Sequence, residues 1–164
     1  MWQRFTESAK RTVLYAQQEA GRMGTREVAS EHLLIGLLLQ AREQQGRVWP
    51  PAPTDRVEAA DVASRVLGEL GLDMEAVRAE AARHKPNAKP AVEGDARLTT
   101  NAKQVIDLGH KEAQRFPVPH IGTEHLLLGL IREKCGLAGR ILARHGANLA
   151  LARASVTGEK PLVG

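Results

Sequence analysis

The sequence predicts an all-α protein, a pseudo-twofold bundle of two four-helix repeats. Three observations carry that prediction. The first is an internal duplication: Ser30-Glu31-His32-Leu33-Leu34-Ile35-Gly36-Leu37-Leu38 returns, displaced by 93 positions, as Thr123-Glu124-His125-Leu126-Leu127-Leu128-Gly129-Leu130-Ile131. At the same displacement the match runs without a gap back to Arg4 over Arg97. Thr6 falls on Thr99, Ala9-Lys10 on Ala102-Lys103, Val13 on Ile106, Glu19-Ala20 on Glu112-Ala113 and Arg22 on Arg115. An overlay of that length marks a repeat architecture rather than shared composition. The second is composition. Aromatic residues are 3% of the 164 and apolar residues 43%, so the core is built from Leu, Ala, Val and Ile, which suits close helix packing better than a β-sandwich. The third is a set of paired helix-start residues, Thr6/Thr99, Ser30/Thr123 and Asp73/Asn148, which agree between the copies.

The elements follow in order. Thr6 is expected to cap a helix reaching about Met23, with Ala9, Val13, Ala16 and Ala20 on one face and Lys10, Arg11, Gln17 and Gln18 turned away. Gly24 to Ala29 connects it to a second helix capped by Ser30, whose Leu33, Leu34, Leu37 and Leu38 make it the buried helix of the repeat. Gly36 inside that helix costs about 1 kcal/mol relative to Ala, and its match with Gly129 predicts a close helix–helix approach in compensation. Val62 to Leu67 then resembles Leu137 to Leu142 at a displacement of only 75, so the first copy carries an insertion of 18 residues between Ala41 and Asp61. The run Trp49-Pro50-Pro51-Ala52-Pro53 within it reads as a loop. A third helix ends near Leu70 at Gly71, as its partner ends at Gly146. Fourth helices are expected over Met74 to His84 and Leu149 to Val156. The domain layout is therefore repeat one over 1–84 with its insertion at 41–60, a Pro- and Gly-containing linker over 85–96, repeat two over 97–156, and a flexible tail over 157–164.

Charge and cysteine content narrow the function classes. Lys and Arg exceed Asp and Glu by four, with the signs interleaved. A nucleic-acid binder concentrates its basic residues in a stripe or tail, so no nucleic-acid partner is expected; a helical DNA-binding regulator using the basic surface is the alternative reading. The single cysteine, Cys135, cannot close an internal disulfide and reads as a loop or semi-buried thiol. There is no signal-like start and no run of roughly 20 apolar residues. The expectation is a cytoplasmic protein without a membrane partner.

The pattern Arg-Phe-Thr…Ala-Lys…Glu-Ala…Glu-His-Leu-Leu-(Ile/Leu)-Gly-Leu, seen twice, resembles the N-terminal domain of the Clp ATPases, most closely the ClpC type. The similarity covers Arg4 to about Val156 apart from the insertion, and its most specific part is Ile121 to Glu133. It implies a double Clp-N bundle that recruits substrates and adaptor proteins to a protein-unfolding ATPase. No G-x-x-x-x-G-K-[ST] phosphate loop occurs in the sequence, so the chain is expected to be non-enzymatic, either a stand-alone Clp-N protein or an excised domain. Its expected partners are a Clp ATPase, adaptor proteins, and unfolded or arginine-phosphorylated substrate proteins.

The candidate site is the duplicated helix start. Ser30 and Thr123 as N-caps, with Glu31 and Glu124 in the first turn, are accounted for by helix chemistry alone, since a hydroxyl satisfies orphan N–H groups and a carboxylate complements the helix dipole. The second reading adds a ligand. A helix start binds phosphate, while an adjacent glutamate favours a ligand that carries cation and anion together. The resemblance implies phosphoarginine, with Ser30, Glu31, Gly122, Thr123 and Glu124 as its contacts. Gly122 at site two, against Ala29 at site one, favours site two, where no methyl obstructs the backbone. His32 and His125 read as packed or hydrogen-bonded core histidines rather than metal ligands, because neither has a second His or Cys at helical spacing. No catalytic residue, metal or cofactor is expected. Trp2, Leu98 and Lys103 are the candidate lining of a peptide or adaptor groove between the first helices of the two copies.

Overall fold

The computed structural model describes residues 2–45, 60–84, 97–115 and 120–157. A 3-10 turn over Trp2–Arg4 precedes α1 (Glu7–Arg22), β1 (Glu27–Val28), α2 (Ser30–Gln45), α3 (Ala60–Glu69), α4 (Met74–His84), β2 (Arg97–Leu98), α5 (Thr100–Ala113), α6 (Thr123–Arg132), α7 (Leu137–Arg144) and α8 (Leu149–Thr157). The all-α reading holds, and α1–α4 recur as α5–α8. The proline run with Trp49, the linker from Lys85 to Ala96 and the tail beyond Thr157 lie outside the described residues.

The repeated caps act alike in both copies. Thr6 and Thr99 each accept from the N–H three residues on, Ala9 and Ala102, at 3.2 Å. Asp73 accepts from Glu75 N, and Asn148 from Ala150 N and Leu151 N, which starts α4 and α8. Gly71 and Gly146 end the third helices with φ of +65° and +82°. Beyond Gly146 the Ala147 N–H reaches back to Leu142 O at 2.9 Å, a closure that needs a left-handed residue.

Two expectations need correction. Ser30 and Thr123 are the first residues of their helices rather than the caps. The cap of α6 is Gly122, and Ala29 holds the same place before α2, since its carbonyl receives the N–H groups of His32 and Leu33. Where the copies diverge, α2 carries helix through Gln45 whereas α6 stops at Arg132, and Ala60 already belongs to α3. The connection after α1 contains β1, an element that two residues cannot announce by periodicity.

The second helices form the centre. Thr123 to Ile131 are all buried, as are Ser30 to Leu38. Each rests on the first helix of its own repeat, with a glycine at the crossing. A Cβ on Gly36 would run into Thr12 O and lie 3.2 Å from Ala16 N. One on Gly129 would run into Val105 O and lie 3.0 Å from Gly109 N. Thr12 and Val105 are themselves counterparts, so the crossing is one design used twice.

The repeats are joined reciprocally. Arg97–Leu98, which opens repeat two, pairs in parallel with Glu27–Val28 of repeat one, and Phe5 bridges Ile121 in the same sense. The bonds correspond, Thr6 N to Ile121 O at 3.0 Å and Thr99 N to Val28 O at 2.9 Å. Helix packing obeys the same rule, α2 meeting α7 as α6 meets α3, and α1 meeting α6 as α5 meets α2. Each half covers the other's central helix, the self-complementary interface that twofold symmetry requires.

Gly129→Ala is expected to destabilise the protein by about 3 kcal/mol through overpacking against backbone that cannot yield. Gly21→Ala, whose new methyl meets nothing within 4 Å, is expected to stabilise it by about 0.5 kcal/mol through lower unfolded-state entropy. Urea unfolding midpoints check both signs.

Candidate functional site

Each second helix starts with an unusual capping arrangement. The N–H of Ala29 donates to His32 Nδ1 at 2.9 Å, and the N–H of Gly122 donates to His125 Nδ1 at 2.9 Å. This is the backbone-directed half of a capping box, with imidazole in the place usually held by Glu or Gln. Both histidines are buried, as expected of core histidines. An Nδ1 that accepts leaves the proton of the neutral ring on Nε2. Burial pushes His125 down to about 4, and the Glu112 carboxylate opposes that shift without reversing it. At neutral pH the 3.4 Å approach of Glu124 Oε1 to His125 Nδ1 is therefore proximity rather than an ion pair.

The five expected ligand contacts fall at the paired helix starts, three in copy two and two in copy one. Ser30, Glu31, Thr123 and Glu124 are 1%, 6%, 3% and 7% exposed, so whatever surface they offer is small. In copy two the Glu124 carboxylate folds back over the cap. A Cβ on Gly122 would lie 2.6 Å from Glu124 Oε1 and 2.7 Å from its Cδ. Ala29, which carries a methyl, holds the cap position in copy one. The hydroxyls differ too. Ser30 Oγ accepts from Ala138 N at 3.4 Å, across the repeat boundary, whereas Thr123 Oγ1 is buried with no hydrogen-bond partner among the described residues.

Leu98 is half-buried in the ladder between the repeats, and Lys103 is exposed on α5. The Trp2 side chain and Trp49 are outside the described residues. Cys135 is exposed in the loop between α6 and α7. Among the described residues, no group of three or more His, Cys, Asp or Glu is placed to hold a metal ion, and no helix is long and apolar enough to cross a membrane.

One duplicated feature escaped sequence reasoning. Glu19, 3% exposed, receives Arg78 at 2.7 and 3.1 Å, and Glu112, 0% exposed, receives Arg153 at 3.0 and 2.6 Å and Arg132 at 2.8 Å. The pairs tie the first helix of each repeat to its fourth. Burial alone would raise the Glu112 carboxyl, but Arg153, Arg115 and Arg132 outweigh it and hold the group below the usual carboxylate range. The signal was present: Glu19 and Glu112 match at a displacement of 93, Arg78 and Arg153 at 75. The pairing itself joins residues about 40 to 60 positions apart and could not be read along the chain.

The depressed His125 pKa has a definite sign. Above pH 6.5 the ring is neutral in both folded and unfolded chains. As pH falls from 6.5 toward 4 the unfolded chain takes up a proton that the folded chain refuses, so stability is lost. The expected loss from this residue between pH 7.5 and 5 is about 2 kcal/mol. His125→Gln keeps a side-chain acceptor at the same capping position and removes the titration. Its unfolding free energy should vary correspondingly less over that interval, as denaturant titration at the two pH values would show.

The chain matches the Clp repeat (R) N-terminal domain family over residues 57–145 and again over 97–160. It is 34% identical over 156 residues to the chaperone protein ClpB of Oceanobacillus iheyensis, an overlap of 95% of this chain and 17% of that protein. It is 33% identical over 148 residues to the chloroplastic chaperone protein ClpC of Pisum sativum, an overlap of 90% and 14%. The chain thus spans less than a fifth of these curated relatives. A crystal structure of the N-terminal domain of ClpD, a caseinolytic protease associated chaperone from Arabidopsis thaliana, superposes with a TM-score of 0.66 and 25% identity, covering 96% of this chain and 95% of that one. With the duplicated helix start, the reciprocal packing and these matches together, the chain belongs to the Clp repeat N-terminal domain family.

Proposed function

We propose that this chain is a non-enzymatic recognition module of the Clp protein-unfolding system, engaging substrate segments or adaptors for a Clp ATPase, and that it contacts an arginine-phosphorylated mark at the start of α6. The observation that carries the ligand part is the arrangement at Gly122, Thr123 and Glu124. A glycine cap, a carboxylate laid across it and a buried hydroxyl with no partner among the described residues mark this helix N-terminus. The first N–H groups of a helix have no acceptor within it, and together with the dipole they favour an anion.

The carboxylate chooses among anions. A phosphoserine brings only negative charge and meets Glu124 with repulsion. A phosphorylated guanidinium brings planar N–H donors for the carboxylate and oxygens for the helix N–H groups in one ligand. The family resemblance supports the same ligand, since ClpC-type N domains recognise phosphoarginine through the glutamate of this motif, which matches both Glu31 and Glu124 here.

Calorimetric titration with free phosphoarginine, with arginine and phosphoserine as controls, tests the reading. Selective binding of phosphoarginine is expected, weakened at least tenfold in Glu124→Ala, the loss appropriate to a charge-assisted bond worth roughly 1.5–3 kcal/mol. A folded protein that ignores phosphoarginine would remove the ligand from the proposal and leave the substrate or adaptor module to be tested with protein partners.

A further inference from the structure

We infer that the two copies of the helix-start motif have divided their roles: the copy at Ser30 is a structural joint between the repeats, and the copy at Thr123 is the ligand site, one per chain. The ligand half rests on the function proposed above; the joint does not.

The joint is visible at the start of α7. Its cap, Gly136, has no side chain to offer the first-turn N–H groups. Glu133, 2% exposed, takes two of the N–H groups there, Cys135 N on Oε1 at 2.9 Å and Gly136 N on Oε2 at 2.7 Å. Ser30 Oγ, from the other repeat, takes Ala138 N. Glu133 and Ser30 crowd the cap so closely that a Cβ on Gly136 would run into both. The glycine, the glutamate and the serine thus form one polar contact through which α2 holds α7.

The internal symmetry supplies a control. Gln40 is the counterpart of Glu133, Thr123 of Ser30, and α3 of α7. Among the described residues that contact is not made: neither Oε1 nor Nε2 of Gln40, 3% exposed, has a hydrogen-bond partner there, and Thr123 Oγ1 has none either. The register of α3 explains the difference. Ala138 is the second residue of α7, so its N–H lies among the orphan donors of the helix start. Its counterpart Ala63 is the fourth residue of α3, two positions deeper into its helix than Ala138 is into α7 and past the orphan donors of the first turn.

The same asymmetry shapes the two caps. Copy one has its hydroxyl engaged by protein and its cap filled by the Ala29 methyl. Copy two has a hydroxyl with no partner among the described residues and a glycine cap covered by the Glu124 carboxylate, which lies where a cap methyl would be. A ligand bearing both a planar cation and an anion therefore finds a complete set of complementary groups only at Gly122-Thr123-Glu124.

Calorimetry with phosphoarginine and thermal melting on wild type, Glu31→Gln, Glu124→Gln, Ser30→Ala and Thr123→Val separate the two halves. Expected are one site per chain, affinity within twofold of wild type in Glu31→Gln, and at least tenfold weaker binding in Glu124→Gln. Ser30→Ala should lower Tm by about 3 °C with binding retained. Thr123→Val should weaken binding with Tm unchanged or raised. Two sites per chain, or equal losses in Glu31→Gln and Glu124→Gln, overturn the division while leaving phosphoarginine recognition intact. Wild type that binds no phosphoarginine overturns the proposed ligand and the ligand half together. In every case equal Tm shifts in Ser30→Ala and Thr123→Val overturn the joint.

Discussion

The close crossing of the second helix over the first, at Gly36 and again at Gly129, is the constraint on which the remainder of the structure depends. At both positions the opposing surface is backbone, a carbonyl and an amide nitrogen, rather than the end of a side chain that could turn aside. A glycine weakens a helix interior, and here the compensation is an interhelical approach that no other residue permits. Once α2 and α6 are seated in this way their leucines are sequestered on nearly every side. The starts of both helices are then held at fixed depth beside the strand segments that precede them.

Joining the halves uses only a few short, reciprocal contacts. Two residues before the first helix of one repeat pair with two residues before the second helix of the other, and each third helix covers the opposite central helix. Buried charge follows the repeat as well, each first helix presenting one glutamate to an arginine of the fourth. Removing one partner of such a pair leaves a charge without compensation, which is far costlier than replacing both. These pairs therefore bind helix one and helix four into a single unit within each repeat. Departures from symmetry are small in sequence and large in effect, as Gly122 against Ala29 and Glu133 against Gln40 illustrate.

Much of the fold was legible in the chain. The displacement of 93 located the repeat, Thr6, Thr99, Asp73 and Asn148 located four helix starts, and Gly71 and Gly146 located two ends. The candidate site was legible only as composition. A hydroxyl before Glu-His reads as an N-cap because capping residues are recognised by type. In the folded protein the cap is one residue earlier, and the histidine three residues on accepts the cap's N–H. No periodicity distinguishes these alternatives, since both place the same leucines inward. The two-residue strands were equally hidden, because a pairing that short has no alternation to display.

By itself the sequence determined the number and order of the helices, the twofold repeat, the glycine crossings and the family, because each of these is written in local pattern or in a match between two stretches of the same chain. Tertiary structure alone decided which polar groups meet. Ser30 reaches Ala138 over 108 positions and Glu112 receives Arg153 over 41, contacts made by folding and not by spacing. It also decided that two nearly identical motifs differ. A shift of two residues in where α3 begins relative to α7 puts Ala138 N among the orphan donors of its helix start and Ala63 two positions deeper in its own helix. At Gly122 the Glu124 carboxylate fills the space a cap methyl would need, whereas the cap of copy one is Ala29.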